Sequence, residues 1–149
     1  MKKKIAAVLF GLVAGGGTVA LVEGISSVLY PPPPGMNFHD PDAMKSFVAT
    51  LPAGAFLLVL LAHACGAFVA GLVCSWFLRR RFVRGGVLLG SLFLMAGVAN
   101  LLTIPHPVWF AVIDILVYLP CALAGTFVWN RESAAATSET PPQNSDANS

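Results

Sequence analysis

Pro52–Arg84 reads PAGAFLLVLLAHACGAFVAGLVCSWFLRRRFVR. From Pro52 to Leu78 the stretch is apolar or small apart from His63 and Ser75, and it then breaks into arginines. A helix that crosses a bilayer needs about 20 mainly apolar residues. A soluble helix of this length would carry a polar face, and this stretch has none. The reading is a transmembrane span with Trp76, Phe77 and Arg79–Arg81 anchoring one end.

Three further stretches match it. Ile5–Leu29 contains one charge, Glu23; Gly85–Ile104 contains none; Val108–Trp129 contains Asp114. The whole chain of 149 residues is 56% hydrophobic and 11% charged. Soluble domains carry roughly 25% charged residues, and a chain this short could not bury so much apolar surface in water. The expected fold is all-α: an antiparallel bundle of four transmembrane helices over residues 1–130, with spans at 5–29, 52–78, 85–104 and 108–129.

The basic residues orient it. Lys2, Lys3, Lys4, Arg79, Arg80, Arg81, Arg84 and Arg131 fall on one side and only Lys45 on the other. The positive side is the cytoplasmic one, so both termini are expected there, in an inner (plasma) membrane. The N-terminal run also has the shape of a signal peptide. Its length, and the lack of a small-x-small cleavage site, argue for a retained span.

Between the first two spans lies the long outer loop. Pro31–Pro34 suggest a stiff polyproline rod of about 12 Å. Asp40, with Pro41 behind it, reads as a helix cap. A short outer helix is expected over Ala43–Leu51, with Phe47, Val48 and Leu51 on the membrane surface and Lys45 and Ser46 in water. Pro105–Pro107 makes a tight turn, and Pro120 is expected to kink the last span. Residues 131–149, rich in Ser, Thr, Ala, Asn and Pro, read as a disordered tail.

The chemistry lies in the polar residues inside the spans: Glu23, His63, Asn100 and Asp114. Such residues cost several kcal/mol when left facing lipid. Each shares a helical face with small residues: Gly16 and Ala20 with Glu23, Gly66 and Ala70 with His63, Gly90 and Gly97 with Asn100, Cys121 and Gly125 with Asp114. Small stripes let membrane helices approach closely, so the four are expected to point into the bundle. At about 1.5 Å per residue they all fall in the outer half or at the midplane, with Ser27, Thr103 and Tyr118 nearby as supporting groups. Gly11 and Gly15 form a G-x-x-x-G on another face of the first span, suited to a second helix or a second copy.

Two roles fit this cluster. One is hydrogen-bonded glue between helices; the other is a site for a proton, a cation or a small ligand, since two carboxylates and a histidine are the usual parts of a proton relay. Cys65, Cys74 and Cys121 lie within spans without a C-x-x-C pair and read as packing residues. His39, Asp40, Asp42 and His106 share the outer side, but their spacing matches no metal motif, so neither metal nor cofactor is assigned. Arg79–Arg84 reads as a topology signal that contacts lipid heads rather than nucleic acid.

Glu23–Gly35 (EGISSVLYPPPPG) and Asn100–Pro120 (NLLTIPHPVWFAVIDILVYLP) together resemble a group of small, uncharacterised bacterial four-span membrane proteins. The resemblance covers most of the chain except the tail and implies architecture without an activity. Four short spans with a glutamate in the first also resemble the small multidrug resistance transporters, whose first-helix glutamate carries protons and binds cationic drugs. That resemblance makes Glu23 the counterpart. The long proline-rich outer loop, Asp114 and the outward position of Glu23 depart from the pattern. The leading expectation is a non-enzymatic interaction or assembly role, with the bilayer and a second copy or another membrane protein as partners. The alternative is an oligomeric proton-coupled transporter or small-ligand binder using Glu23, His63 and Asp114.

Overall fold

In the computed structural model, residues 1–138 are described, with side-chain burial described through Val128. Five helices follow one another: α1 (Lys2–Leu29), α2 (Pro41–Thr50), α3 (Ala53–Leu78), α4 (Val83–Thr103) and α5 (Val108–Ser138). Four of them are long and apolar enough to cross a membrane, the last over Val108–Val128. Val13, Leu21, Val28, Leu102 and Leu116 are each well over half exposed. That outward apolar surface needs an apolar solvent, and helices satisfy their backbone bonds internally within it. The chain is an all-helical bundle able to span a membrane four times.

α3 is the hub. α1 packs on one side of it and α5 on the other, while α4 leans mainly on α5 and meets α1 only lightly. Glycine makes the close contacts. A Cβ at Gly11 would lie 2.6 Å from the Ala70 carbonyl, and one at Gly15 would lie 2.5 Å from that of Gly66. The G-x-x-x-G face is therefore the α1–α3 seam. Across α3, a side chain at Gly71 would strike the Ala122 carbonyl, and one at Gly125 would strike that of Phe68. The Gly16 face of α1 differs from expectation: a Cβ there meets nothing within 4 Å. It borders a cleft instead of a neighbouring helix.

The connections explain the order. α3 ends at Arg79 in the left-handed region (φ 53), where the Arg80 N–H donates to the Ser75 carbonyl and closes the helix end. The Phe82 N–H, donating to Ser75 Oγ, then starts the return into α4. On the far side the proline rod is shorter than its sequence suggests. The Met36 N–H donates to the Pro33 carbonyl across Pro34 and Gly35, the latter at φ 76. Proline and glycine are the residues a type II turn asks for at those two positions, so the fourth proline belongs to a turn.

α2 starts as expected, with the Asp40 carboxylate accepting from the Asp42 and Ala43 N–H groups. Its placement differs. Val48 and Leu51 pack on Phe56, Leu60 and Phe110, so the apolar face of α2 covers the end of its own bundle rather than lying on lipid. Lys45 and Ser46 face outward. At the other end of the chain, α5 contains Pro120 without stopping there, and it continues to Ser138. Residues 131–138 are thus helical where composition suggested an irregular tail. Glu132 and Ala134–Ala136 are strong helix formers, which extend a helix already nucleated in the span. The rest of the expected tail, 139–149, lies outside the described residues.

Overpacking a tight seam typically costs about 1–3 kcal/mol. Gly71→Val or Gly125→Val should therefore lower the melting temperature in detergent. Gly17 has nothing within 4 Å, and Gly17→Ala should leave it unchanged or raise it, by up to about 1 kcal/mol of helix propensity. Equal melting of all three variants would contradict the seams described.

Candidate functional site

A carboxylic acid with no accessible surface lies at the junction of α3 and α5. This is Asp114, one turn before Tyr118 on the buried face of α5. Its Oδ1 is 2.6 Å from His63 Nδ1. The Tyr118 hydroxyl donates to Oδ2 at 3.1 Å, while its oxygen lies 2.8 Å from the same His63 Nδ1. One set of proton positions satisfies all three contacts. The Nδ1–H donates to Asp114 and is shared with the tyrosine oxygen, and the tyrosine gives its own proton to Asp114. Buried polar groups require such partners. Here the partners also fix the imidazole plane and its tautomer.

The other ring nitrogen is thereby aimed away from Asp114, and it faces α1. His63 Nε2 lies 3.6 Å from Glu23 Oε1. At that separation the pair is ionic when the ring carries both protons. The order across the bundle is Asp114 (α5), His63 (α3), Glu23 (α1), a carboxyl on each side of one imidazole. The inner end is sealed, with Asp114 and Tyr118 buried. The outer end is open, since the Glu23 side chain is 45% exposed.

Glu23 opens into a cleft between α1 and α4. The cleft measures about 390 Å³, and its walls include Gly16, Ala20, Phe93, Ala96 and Asn100, with His63 and Tyr118 at the back. A second cleft of about 350 Å³ shares Glu23 and Asn100 with the first and runs toward α2. Phe47, Val48, Phe56 and His106 help to line it. The two spaces adjoin at Glu23 and Asn100, between the α2 end and the relay. Asn100 borders both, and no described residue bonds its amide, which leaves an uncharged donor and acceptor facing them. Toward the arginine end the open space stops. The Phe93 ring lies 2.8 Å from where a Gly15 Cβ would be, and Leu89 lies 3.0 Å from the corresponding point at Gly11. These two large side chains on α4, seated on glycines of α1, form a waist.

The structure thus brings Glu23, His63 and Asp114 together, adds Tyr118 as a direct partner, and places Asn100 on the same cleft. Of the other two supporting residues, Ser27 lines the second cleft beside Glu23 and Asn100, but neither hydroxyl joins the relay. The Ser27 hydroxyl donates to the Gly24 carbonyl, and the Thr103 hydroxyl to those of Ala99 and Asn100, each within its own helix. The outer histidines and aspartates stay apart as well: among the described residues, no group of three metal-ligating side chains converges. Asp40 is occupied as a cap. Sequence reasoning missed the waist, because large residues seated on Gly11 and Gly15 have meaning only once α1 is known to face α4.

His106 belongs to the second cleft. Its Nδ1–H donates to the Ile104 carbonyl at 2.6 Å, and its ring stacks on Phe110 at 4.8 Å between centroids. Burial against these aromatics holds its pKa below the ordinary histidine value, outweighing the raising effects of the Ile104 carbonyl and Asp114. The folded protein therefore binds its proton less readily than the unfolded chain does. This contribution favours folding above the unfolded pKa of about 6.5, and it is lost as the pH falls below that value. His106→Gln should make the melting temperature less sensitive to acidification between pH 7.5 and pH 5.5 than in the unsubstituted protein. An unchanged pH profile would contradict this.

Comparison with known proteins finds no family model, no curated protein and no solved structure that matches the chain. Of the resemblance noted above, what stands is four apolar helices able to cross a membrane.

Proposed function

We propose that this multi-pass membrane protein binds a small cation in exchange for a proton at the Glu23–His63–Asp114 relay. The exchange takes place from the face that carries α2. The observation that carries the reading is the contrast between the ends of the relay, one buried and fully bonded, the other open to a cleft. Glue between helices would leave both ends closed. The geometry thus favours the site over the assembly role that the sequence put first.

The chemistry follows from charge. Asp114, with two donors already directed at it, is the fixed negative end. A proton reaching Glu23 through the cleft can pass to His63 Nε2, and the imidazolium is held between two carboxylates. In that state Glu23 is neutralised by the ring. A cation entering the cleft competes for the same carboxylate, and in a low-dielectric site the competition is strong. Its arrival expels the proton. Asn100 offers the cation's shell an uncharged partner. The role is binding and proton exchange, without a catalysed reaction or a cofactor. On the charge asymmetry, the α2 face is extracytoplasmic and both termini are cytoplasmic. Passage to the other face would require the Phe93–Leu89 waist to part.

The assembly reading keeps one supporting observation. Gly17 and Gly24 of α1 have open space beside them, and a second copy or another membrane protein packed there would suit an oligomer. The two readings are compatible.

Tetramethylammonium is a suitable probe. Added to the detergent-solubilised protein in weak buffer near neutral pH, it should release on the order of one proton per chain. Glu23→Gln should abolish both binding and release. Binding without proton release, or release unchanged in Glu23→Gln, would overturn the exchange.

A further inference from the structure

The α1–α4 seam opens a second time, at the arginine end. Below the waist, α1 and α4 diverge around a groove of about 340 Å³ lined by Lys4, Ile5, Leu9, Phe82, Arg84 and Leu88, among others. It shares no lining residue with the relay clefts. Its walls are apolar, and its two cations belong to the ends of the two helices that frame it. Ile5, Leu9 and Leu88 are about half exposed, so the groove opens sideways onto the surface that meets the bilayer. Leu89 packed on Gly11 closes it toward the middle of the membrane.

Among the described side chains the two cations have no counter-charge. Among the side chains described, the only ion pairs are those of His63 with Glu23 and Asp114. Lys4 instead holds its ammonium 5.8 Å from the centroid of the Phe82 ring, and Arg80 approaches the same ring at 5.8 Å. A cation–π contact is weak at an exposed site, and it leaves the charge available to an anion. At the membrane surface, a basic pocket between helices attracts anionic headgroups.

We propose that this groove is a binding site for one anionic phospholipid, with its phosphate at the rim between Lys4 and Arg84 and an acyl chain along Ile5, Leu9 and Leu88. Three features select this occupant. The apolar walls face the lipid phase and not water. Two cations, unpaired among the described side chains, lie where the headgroup of the adjoining leaflet would be. The groove also ends blindly, which suits a chain tip and excludes a through-path. The lipid would wedge α1 against α4, where the two helices otherwise touch only lightly, and so brace the waist from below.

The test is retention of lipid after purification from mixed phosphatidylglycerol and phosphatidylcholine, read by native mass spectrometry. The unsubstituted protein should retain one phosphatidylglycerol in preference to phosphatidylcholine. The double variant Lys4→Gln, Arg84→Gln should reduce that retention about ten- to thirty-fold, from the loss of two basic contacts. Lys45→Gln, at the opposite end, should not change it. Leu88→Trp leaves both charges in place and should also weaken retention by filling the chain's path. It keeps the test decisive where the double variant fails to fold. Inorganic phosphate should not displace the lipid. Equal retention of phosphatidylcholine, or retention unaffected by both the double variant and Leu88→Trp, would overturn the proposal. So would full displacement by phosphate, or a dimer that carries no lipid.

Discussion

The Asp114 side chain has no contact with solvent and lies within a helix long and apolar enough to span the lipid phase. A polar group buried so completely is tolerated only when its hydrogen-bonding capacity is met. His63 and Tyr118 meet it, and the rest of the arrangement follows. His63 must come from α3, which requires α3 and α5 to pack at backbone distance, and that requires glycine at positions 71 and 125. With Nδ1 committed to Asp114, Nε2 has one direction left, toward α1. Glu23 is where α1 presents a carboxylate to it.

The seam between α1 and α4 turns that buried network into an accessible one. α1 leans on α3 through Gly11 and Gly15, and α4 leans on α5 through Gly86, Gly90 and Gly97. Because each helix has its own partner, the two meet only lightly, and at the waist Leu89 and Phe93 lie against the α1 glycines. Above the waist the space sets Glu23, His63 and Asn100 among apolar walls and shares Glu23 and Asn100 with the vestibule under α2. Below it the space is apolar with a basic rim. α2 matters for the same reason. By packing Val48 and Leu51 onto the bundle end, it shapes the mouth of the upper space.

Much of this was legible in the sequence, for physical reasons. A span must be long and apolar whatever its neighbours are, so the four crossings could be read without knowing the packing. Ionisable residues are rare in such spans, so Glu23, His63 and Asp114 stood out. Asp40 could be read as a cap because capping is a local interaction. What could not be read depended on which helices face each other. The Gly16–Ala20–Glu23 stripe has the small residues that usually mark a packing face, yet on α1 the packing seam is Ala7–Gly11–Gly15 and the stripe borders a cleft. Ser27 and Thr103 lie near the cluster in depth, but their hydroxyls bond within their own helices. The apolar face of α2 could have met lipid or protein with the same pattern. The helix past Asn130 was hidden by a composition that averaged Ala134–Ala136 with the polar residues after them.

The central claim is a water-accessible path that reaches the relay from the α2 side and ends at the waist. Ala96, on the cleft wall, reports on it directly. In a background with Cys65, Cys74 and Cys121 replaced by alanine, Ala96→Cys can be exposed in sealed vesicles to a charged, membrane-impermeant thiol reagent from one side at a time. Val13→Cys, on an outward-facing apolar surface, serves as the lipid-buried control. The account predicts that Ala96→Cys is labelled from the α2 side and not from the arginine side, and that Val13→Cys is labelled from neither. No labelling of Ala96→Cys from the α2 side, or equal labelling from both sides, would contradict it.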